Sequence, residues 1–503
     1  MKQNLQHINT KLIPDYVSRV TKTLEINGFE SYLVGGCVRD LILDKVPKDW
    51  DVTTNATPEQ IIGLFEKTVY ENTFGTVAVC IPKNVVLNDP VVSSQSPVAY
   101  DIVEVTPYRI EGKYSDNRHP DTVQFSTKIE DDLKRRDFTV NAMALDSKGH
   151  LIDMYGGQSD IKDKMIKTVG DAQCRFEEDA LRMLRAIRFS VQLNFIVSHE
   201  TFHAINTNAH LLKTISAERI RDEFVKIVNS PDPSMGVGLL EKSGLLQYMI
   251  PELQEGIGCE QGGAHIYDVF THLIQACQHA ADKGYPFHVK LAALFHDIGK
   301  PRTRRPGQKK EYTFYGHEVV GARMAQKIMD RLKFPKADTD LVVKLVRYHM
   351  FFSDTEQITL SAVRRVIVNI GQDHIWELMQ IRECDRVGMK KKEAPYRLRK
   401  YHAMIEECLR DPISVKQLKV NGNYLMQDMN MKPGPRMGWI LNALLEEVLE
   451  NPEKNTIEIL SARVIELDTL SDKELRALGE KAKETKEQAD DAEIEKLHKK
   501  HGV

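Results

Sequence analysis

Leu33-Val-Gly-Gly-Cys-Val-Arg-Asp40, with Asp49-Trp-Asp51 beginning thirteen residues after Gly36, decides the fold of the first part of this chain. Ser31 to Val34 reads as a buried strand, Gly35-Gly36 as a tight turn and Val38 to Leu43 as a short helix. Such a turn lets backbone N–H groups approach a phosphate at a helix start. Taken alone, Gly-Gly more often marks only a turn. Asp49 and Asp51 alternate along a second predicted strand, Asp49 to Val52, so both carboxylates fall on one face. Oxygen pairs of this kind share hard cations such as Mg²⁺. A bare Asp-x-Asp is usually an exposed acidic strand end; the Gly-Gly turn at this distance makes the pair specific. Glu104 lies on a later predicted strand, Asp101 to Val105, and supplies a third carboxylate, with Asp101 a weaker alternative.

Outward from this stretch, Thr57 with Pro58 predicts a helix to about Lys67, and Thr76 to Ile81 predicts a strand. Lys83 to Ala99 reads as an inserted hairpin or loop. Beyond about residue 150 strands nearly vanish. A helix is predicted over Phe176 to Phe195, with others over Ser198 to Asn208, Ser216 to Asn229 and Ser234 to Ser243. Pro251 to Gly263 is a Gly-rich break. Helices resume from His265 to about Leu409, and a last helical unit spans Val415 to Leu470. The chain has 503 residues, 42% hydrophobic and 28% charged, which predicts several globular domains. No apolar run is long enough for a membrane span, and Met1 to His7 lacks a signal-peptide core, so a cytoplasmic protein is expected. Seven scattered cysteines without Cys-x-x-Cys argue against a disulfide framework and a zinc ribbon. The net charge of −3 means that any phosphate-binding surface is local.

Two further clusters carry chemistry. Lys134-Arg-Arg136 could neutralise a triphosphate, with Asp137 and Asn141 bonding a ribose; the bland reading is a basic helix C-terminus. In Glu177-Glu-Asp-Ala-Leu-Arg-Met-Leu-Arg185, Asp179 and Arg182 are spaced to share a helix face. The bland reading is a surface ion pair worth ~0.3–0.5 kcal/mol. The functional reading is base recognition. Cytosine and adenine both present an amino donor beside a ring-nitrogen acceptor; guanine and uracil present a carbonyl beside an N–H. An Asp acceptor beside an Arg donor matches the first two and opposes the others.

These motifs in order, with Arg135-Arg-Asp-Phe-Thr-Val-Asn-Ala142 and Arg175 to Arg188, closely resemble the bacterial class II tRNA nucleotidyltransferases (CCA-adding enzymes) and their poly(A) polymerase relatives. Val415 to Gly422 and Pro433-Gly-Pro435 resemble that family's C-terminal unit. The resemblance implies an α+β fold: a polymerase-β-like head with a mixed sheet, followed by an all-α neck, body, HD domain and tail. The implied divisions are 1–150 (catalytic head), 151–260 (neck and body, base and RNA binding), 261–408 (HD domain), 409–470 (tail) and 471–503 (charged helical or disordered extension). It implies that Asp49 and Asp51 hold Mg²⁺, with Glu104 as the third catalytic carboxylate. It places Gly36, Arg39, Arg109, Arg136, Asp137, Asn141, Glu178, Asp179, Arg182 and Arg185 at the nucleotide. Arg109 to Asp121 resembles the loop the family uses when switching from C to A addition. The implied partners are the tRNA acceptor end, CTP and ATP, with no membrane and an unassigned oligomeric state.

In the second half, His272, His296-Asp297, His317, His349 and Asp385 recur on predicted helices. Imidazole and carboxylate together suit Mn, Fe, Ni or Zn better than Ca. The series resembles an HD phosphohydrolase: His272, His296, Asp297 and Asp385 match its core pattern, and His317 and His349 the extra ligands of two-metal versions. The expected metal is Mn, Ni, Fe or Zn, or Mg, activating water against a phosphate ester. Basic clusters from Lys300 to Lys310 and Lys390 to Lys400 read as RNA-facing or as solvated faces. The alternatives to CCA addition are a poly(A) polymerase or A-adding enzyme, a phosphohydrolase whose head only binds RNA, and a non-catalytic RNA-binding protein.

Overall fold

The structure is a computed structural model and describes residues 8–70, 75–83, 99–112, 122–263, 265–307, 311–351, 358–389, 395–412 and 414–478. Most of the Lys83 to Ala99 insertion, most of the Arg109 to Asp121 loop, Lys309, Lys310, Lys390 to Lys392 and the chain beyond 478 lie outside the described residues. The chain forms two compact units, Met1–Met249 and Ile250–Val503.

The first unit begins with strands β1 (Ser31–Val34), β2 (Asp51–Thr54), β3 (Thr68–Tyr70), β4 (Val77–Pro82), β5 (Tyr100–Pro107), β6 (Arg109–Glu111), β7 (Val123–Phe125), β8 (Met143–Leu145) and β9 (Leu151–Asp153). Seven of them make one mixed sheet in the order β3-β4-β5-β2-β1-β8-β9, and β6 pairs with β7 apart from it. β2 and β5 are parallel, with Asp51 opposite Glu104 and Val52 opposite Val105. Both valines are fully buried, so strand alternation leaves the two carboxylates together on the other face. The second strand starts two residues later than its sequence suggests, at Asp51, and runs on to Thr54.

Thr57 caps the helix Pro58–Leu64 in a reciprocal capping box with Gln60. The helix ends before Lys67 because the chain turns extended at Phe65 and enters β3. Behind the sheet, Val34, Tyr108, Ile129, Leu133 and Ala144 form one buried cluster. Ile129 and Leu133 are four apart on the helix Ile129–Lys134, so they face the sheet together. Each such buried side chain contributes about 1.5–3 kcal/mol. The anchoring fixes where the segment after Lys134 leaves the sheet.

The predicted helix over Phe176 to Phe195 is two helices, Ala172–Glu178 and Leu181–Leu193. Asp179 breaks them, with extended backbone at φ −139° and ψ 103°. Asp179 and Arg182 therefore do not share a continuous helix face. The remaining helices of this unit, His199–Asn208, Ala217–Val228 and Pro233–Lys242, lie within a residue of expectation. The short strands Met165–Ile166 and Ile196–Val197 pair in parallel, so strands persist past residue 150.

The second unit is built from helices, including Val269–Asp282, Phe287–Phe295, His317–Arg331, Lys336–Tyr348 and Ile375–Asp385. Its later part includes Pro435–Glu450 and Ile457–Asp468. Leu475 is fully buried, so the start of the charged extension is packed rather than solvated. Among the described residues, no helix is long and apolar enough to cross a membrane.

Candidate active site and metal centre

In the head, Asp51 is half-buried, while Asp49 precedes β2 instead of alternating along it and is exposed. Burial pushes the Asp51 carboxyl above its ordinary range; the Arg136 guanidinium opposes the shift and the Asp49 charge adds to it. A desolvated carboxylate beside a second one, with Glu104 in register, is an oxygen-donor set that fits Mg²⁺. The three do not close into a group with all ligand atoms within 4.8 Å; among the described residues, only the second unit contains such groups.

Gly35 has φ +77°, and a Cβ there would lie 3.1 Å from Arg136 Nη1 and 3.4 Å from Asp51 Oδ2. Glycine is needed at this position, and it lets the guanidinium and the carboxylate approach the turn. Gly36 opens the helix Gly36–Ile42 and faces the Arg39 guanidinium. Arg135 and Arg136 both donate to Asp132, at 2.6 and 2.9 Å. Asp132 is fully buried, which alone would raise its pKa, but the two arginines hold it below the ordinary value. Asp132 is not among the residues singled out from sequence, although its spacing of three and four to the arginines is legible there.

Asp137 lies at the centre of the next tier. Arg185 Nε donates to it at 2.7 Å, the Phe138 backbone N–H at 2.8 Å and Asn141 at 3.5 Å. Burial acts to raise its pKa, yet Arg185 and Arg182 hold it lowered. Arg39 donates to Asn141 Oδ1 at 2.8 Å and to Asp40. Arg39, Arg185 and Arg188 gather around the Phe189 ring at 5.5, 5.4 and 4.2 Å from its centroid. Phe189, Arg188 and its ion-pair partner Glu223, at 2.8 Å, were not singled out from sequence. Arg109 begins β6, on the separate hairpin.

Asp179 and Arg182, expected from sequence to read the base, have other partners than each other. Asp179 accepts from Arg219 at 2.8 and 3.3 Å and from the Leu181 backbone N–H at 3.0 Å. Arg182 pairs with Glu178 and donates to the Arg175 and Arg135 carbonyls. The simple ion pair between Asp179 and Arg182 is thus not made. Arg219, forty residues away in sequence, carried no local signal.

In the second unit the six expected ligands meet in two buried groups: His272, His296, Asp297 and Asp385, and Asp297, His317 and His349. Asp297 belongs to both. Its Oδ2 faces His272 and His296 at 3.4 and 3.3 Å, and its Oδ1 faces His317 and His349 at 3.2 and 3.5 Å. Nδ1 of His272, His296, His317 and His349 lies 3.1, 2.8, 2.7 and 2.7 Å from the carbonyls of Val387, Ala293, Phe314 and Val346. A carbonyl only accepts, so each Nδ1 donates and each Nε2 is turned inward. The Nε2 atoms face each other at 3.1 Å in the first group and 3.3 Å in the second.

Two neutral rings in that tautomer oppose lone pair to lone pair, an arrangement that a metal cation resolves. Burial lowers the His296 pKa, but Asp297 and Asp385 outweigh it and push it up to about 10; the carboxylates demand positive charge here. The donor set fits a transition metal. Gly299 makes the approach possible, since a Cβ there would lie 2.2 Å from the His317 carbonyl oxygen. Lys300 is not an exposed RNA contact: it is buried and donates to Asp297 and to Gln261 at 2.7 Å. Arg302 likewise is paired with Glu255.

Known proteins resemble this chain over most of its length. Residues 31–167 match the Poly A polymerase head domain, 194–257 the probable RNA and SrmB-binding site of polymerase A, and 263–387 the HD domain. The CCA-adding enzyme of Lactobacillus helveticus is 31% identical over 455 residues, 89% of this chain and 96% of that one. The A-adding tRNA nucleotidyltransferase of Deinococcus radiodurans is 34% identical over 338 residues, 65% of this chain and 76% of that one. The crystal structure of the Bacillus stearothermophilus CCA-adding enzyme in complex with CTP matches with a TM-score of 0.65 at 26% identity, covering 90% of this chain and 96% of that one. Fold and comparisons together define a nucleotidyltransferase with a polymerase-type head and an appended HD domain. Within that class, the chain belongs to the family of CCA-adding enzymes.

Proposed function

We propose that this protein adds C, C and A, without a nucleic-acid template, to the 3′ end of tRNA from CTP and ATP. One observation carries the reading: Arg136 stands beside Asp51, and its neighbour Asp137 is held by Arg185 from the helix that also carries Arg182. Metal, triphosphate, ribose and base sites are thereby joined in one continuous set of contacts. The tRNA 3′-hydroxyl attacks the α-phosphate and pyrophosphate leaves. Asp49, Asp51 and Glu104 would hold Mg²⁺, which when bound activates the hydroxyl and neutralises phosphate charge.

The chain's own groups do the positioning. Gly36, Arg39, Arg109 and Arg136 serve the triphosphate, and Asp137 and Asn141 the ribose, with Arg185 fixing Asp137. Asp179 accepts from the amino group of C or A while Arg182 donates to the ring nitrogen; Glu178 and Arg219 orient that pair. Residues 1–150 perform the chemistry, 151–260 read the base and 409–470 follow the RNA. An enzyme acting on tRNA would work in the cytoplasm. The test supplies tRNA lacking its last three nucleotides with each labelled NTP and sequences the products. CCA ends are expected. Addition of A only to tRNA ending in CC, or of long A runs, would replace the proposal with the A-adding or poly(A) reading.

A second activity is favoured by the shared Asp297. Two ligand groups bridged by one carboxylate suit a two-metal phosphohydrolase using Mn, Ni, Fe or Zn, or Mg, with water directed at a phosphate ester. Release of phosphate from phosphomonoesters or opening of cyclic phosphodiesters, lost with His296→Ala and Asp297→Ala, is the measurement that decides it.

A further inference from the structure

His199-Glu-Thr-Phe-His203 opens the helix His199–Asn208 in the first unit. The two histidines are four apart, so they stand above one another on a single helix face. Their rings are parallel to within 4° with centroids 6.5 Å apart. Both are exposed, and among the described residues neither ring has a hydrogen-bond or ion-pair partner. This contrasts with His272, His296, His317 and His349 of the second unit, each tied to a carbonyl. The face they occupy lines a groove of about 810 Å³, shared with Glu200, Thr207, Lys167 and Asp171. Ser198 caps the helix through the Thr201 N–H.

We propose that His199 and His203 bind one divalent transition-metal ion at this groove, as a site separate from the HD centre. Rotation about χ2, which is broad for an imidazole, turns one nitrogen of each ring into the gap between them. Two neutral imidazoles favour Ni²⁺, Cu²⁺ or Zn²⁺ over Mn²⁺ or Mg²⁺. His-Glu-x-x-His on a helix also occurs in zinc peptidases, with the glutamate as general base. That chemistry needs three protein ligands, with a fourth position left for water or substrate. Among the described residues, no group of three within 4.8 Å includes His199 or His203. The site is accordingly an open, two-ligand one that completes its coordination with water, and it is not a peptidase centre.

The test uses the full chain without an affinity tag, stripped with chelator, dialysed against Ni²⁺ and assayed for bound nickel by atomic emission. Wild type should hold one equivalent more than the double variant His199→Gln, His203→Gln. Both side chains are exposed, so the variant should keep the wild-type melting temperature. Copper EPR of the wild type should show imidazole nitrogen couplings from a component absent in the variant. Bound Mn²⁺, which reports the HD centre, should be equal in the two proteins. Equal nickel content and identical copper spectra would overturn the proposal. So would a parallel loss of nickel and manganese, which would place the effect in the HD centre.

Discussion

Arg219→Ala should corrupt base selection without touching the metals or the triphosphate. The Arg219 guanidinium holds Asp179 through two hydrogen bonds of 2.8 and 3.3 Å, and the side chains are only 26% and 16% exposed. Asp179 sits where two helices meet in extended backbone, so no regular helix holds its carboxylate in place. Its remaining tie is the Leu181 N–H. Hydrogen bonds involving a charged group are worth about 1.5–3 kcal/mol. If orientation of Asp179 supplies the discrimination, losing its guanidinium partner lowers the CTP-over-UTP and ATP-over-GTP ratios by a similar amount, about ten- to a hundredfold in kcat/KM. The assay compares the four NTPs on tRNA ending in C and on tRNA ending in CC. Arg219→Lys, which keeps the charge but not the fork, should give an intermediate result. Unchanged ratios with a lower melting temperature would make the Arg219–Asp179 contact purely structural and refute the reasoning.

Asp51→Asn should abolish addition yet raise the melting temperature of the metal-free protein, because burial disfavours the charged carboxylate and the amide removes that penalty; a fall in melting temperature would contradict it. Asp132, with its pKa held below the unfolded value of about 3.9, contributes stability above that pH, and the contribution is lost as pH falls through the depressed folded value. Asp132→Asn should therefore destabilise at pH 7 by about 3 kcal/mol and flatten the acid limb, read from melting temperature against pH. In the second unit, Asp297→Ala should lose two equivalents of bound Mn²⁺ while His317→Ala loses one, since only Asp297 serves both ligand groups; equal losses would argue against a shared ligand. Nucleotide addition should survive both changes.

What the sequence makes legible here is short-range. The Gly-Gly turn, the Thr57 N-cap ahead of Pro58 and the ligand-type residues of the HD series each follow from spacings of a few residues. Even Asp132 could have been found, since Asp followed three and four positions on by Arg is a helix-spaced ion pair. The break at Asp179 was not found because Phe176 to Phe195 carries helical periodicity on both sides of it. The local clue was weak: an Asp whose side chain can bond its own backbone two residues on competes with the helix. What tips the balance is Arg219 on another helix, a tertiary contact that no window around Asp179 contains.

The same distinction explains the two candidate metal-ligand groups of the second unit. The type of ligand was readable at every position, but the sharing was not. Asp297 divides its two oxygens between four histidines that arrive from four separate helical segments. Their meeting depends on Gly299 lying against the His317 backbone, where a Cβ would collide at 2.2 Å. In Leu294-Phe-His-Asp-Ile-Gly-Lys300 nothing local marks the glycine as a packing contact. In the folded unit it sets the distance between the two ligand groups. Gly299→Ala should thus act on the metal centre through the backbone: it must push the His317 helix away and separate the Asp297 Oδ1 contacts from the Oδ2 contacts. Loss of metal from the second group before the first, followed by manganese titration, is the expected signature. Simultaneous loss from both groups would mean that the glycine supports the fold as a whole and not the spacing.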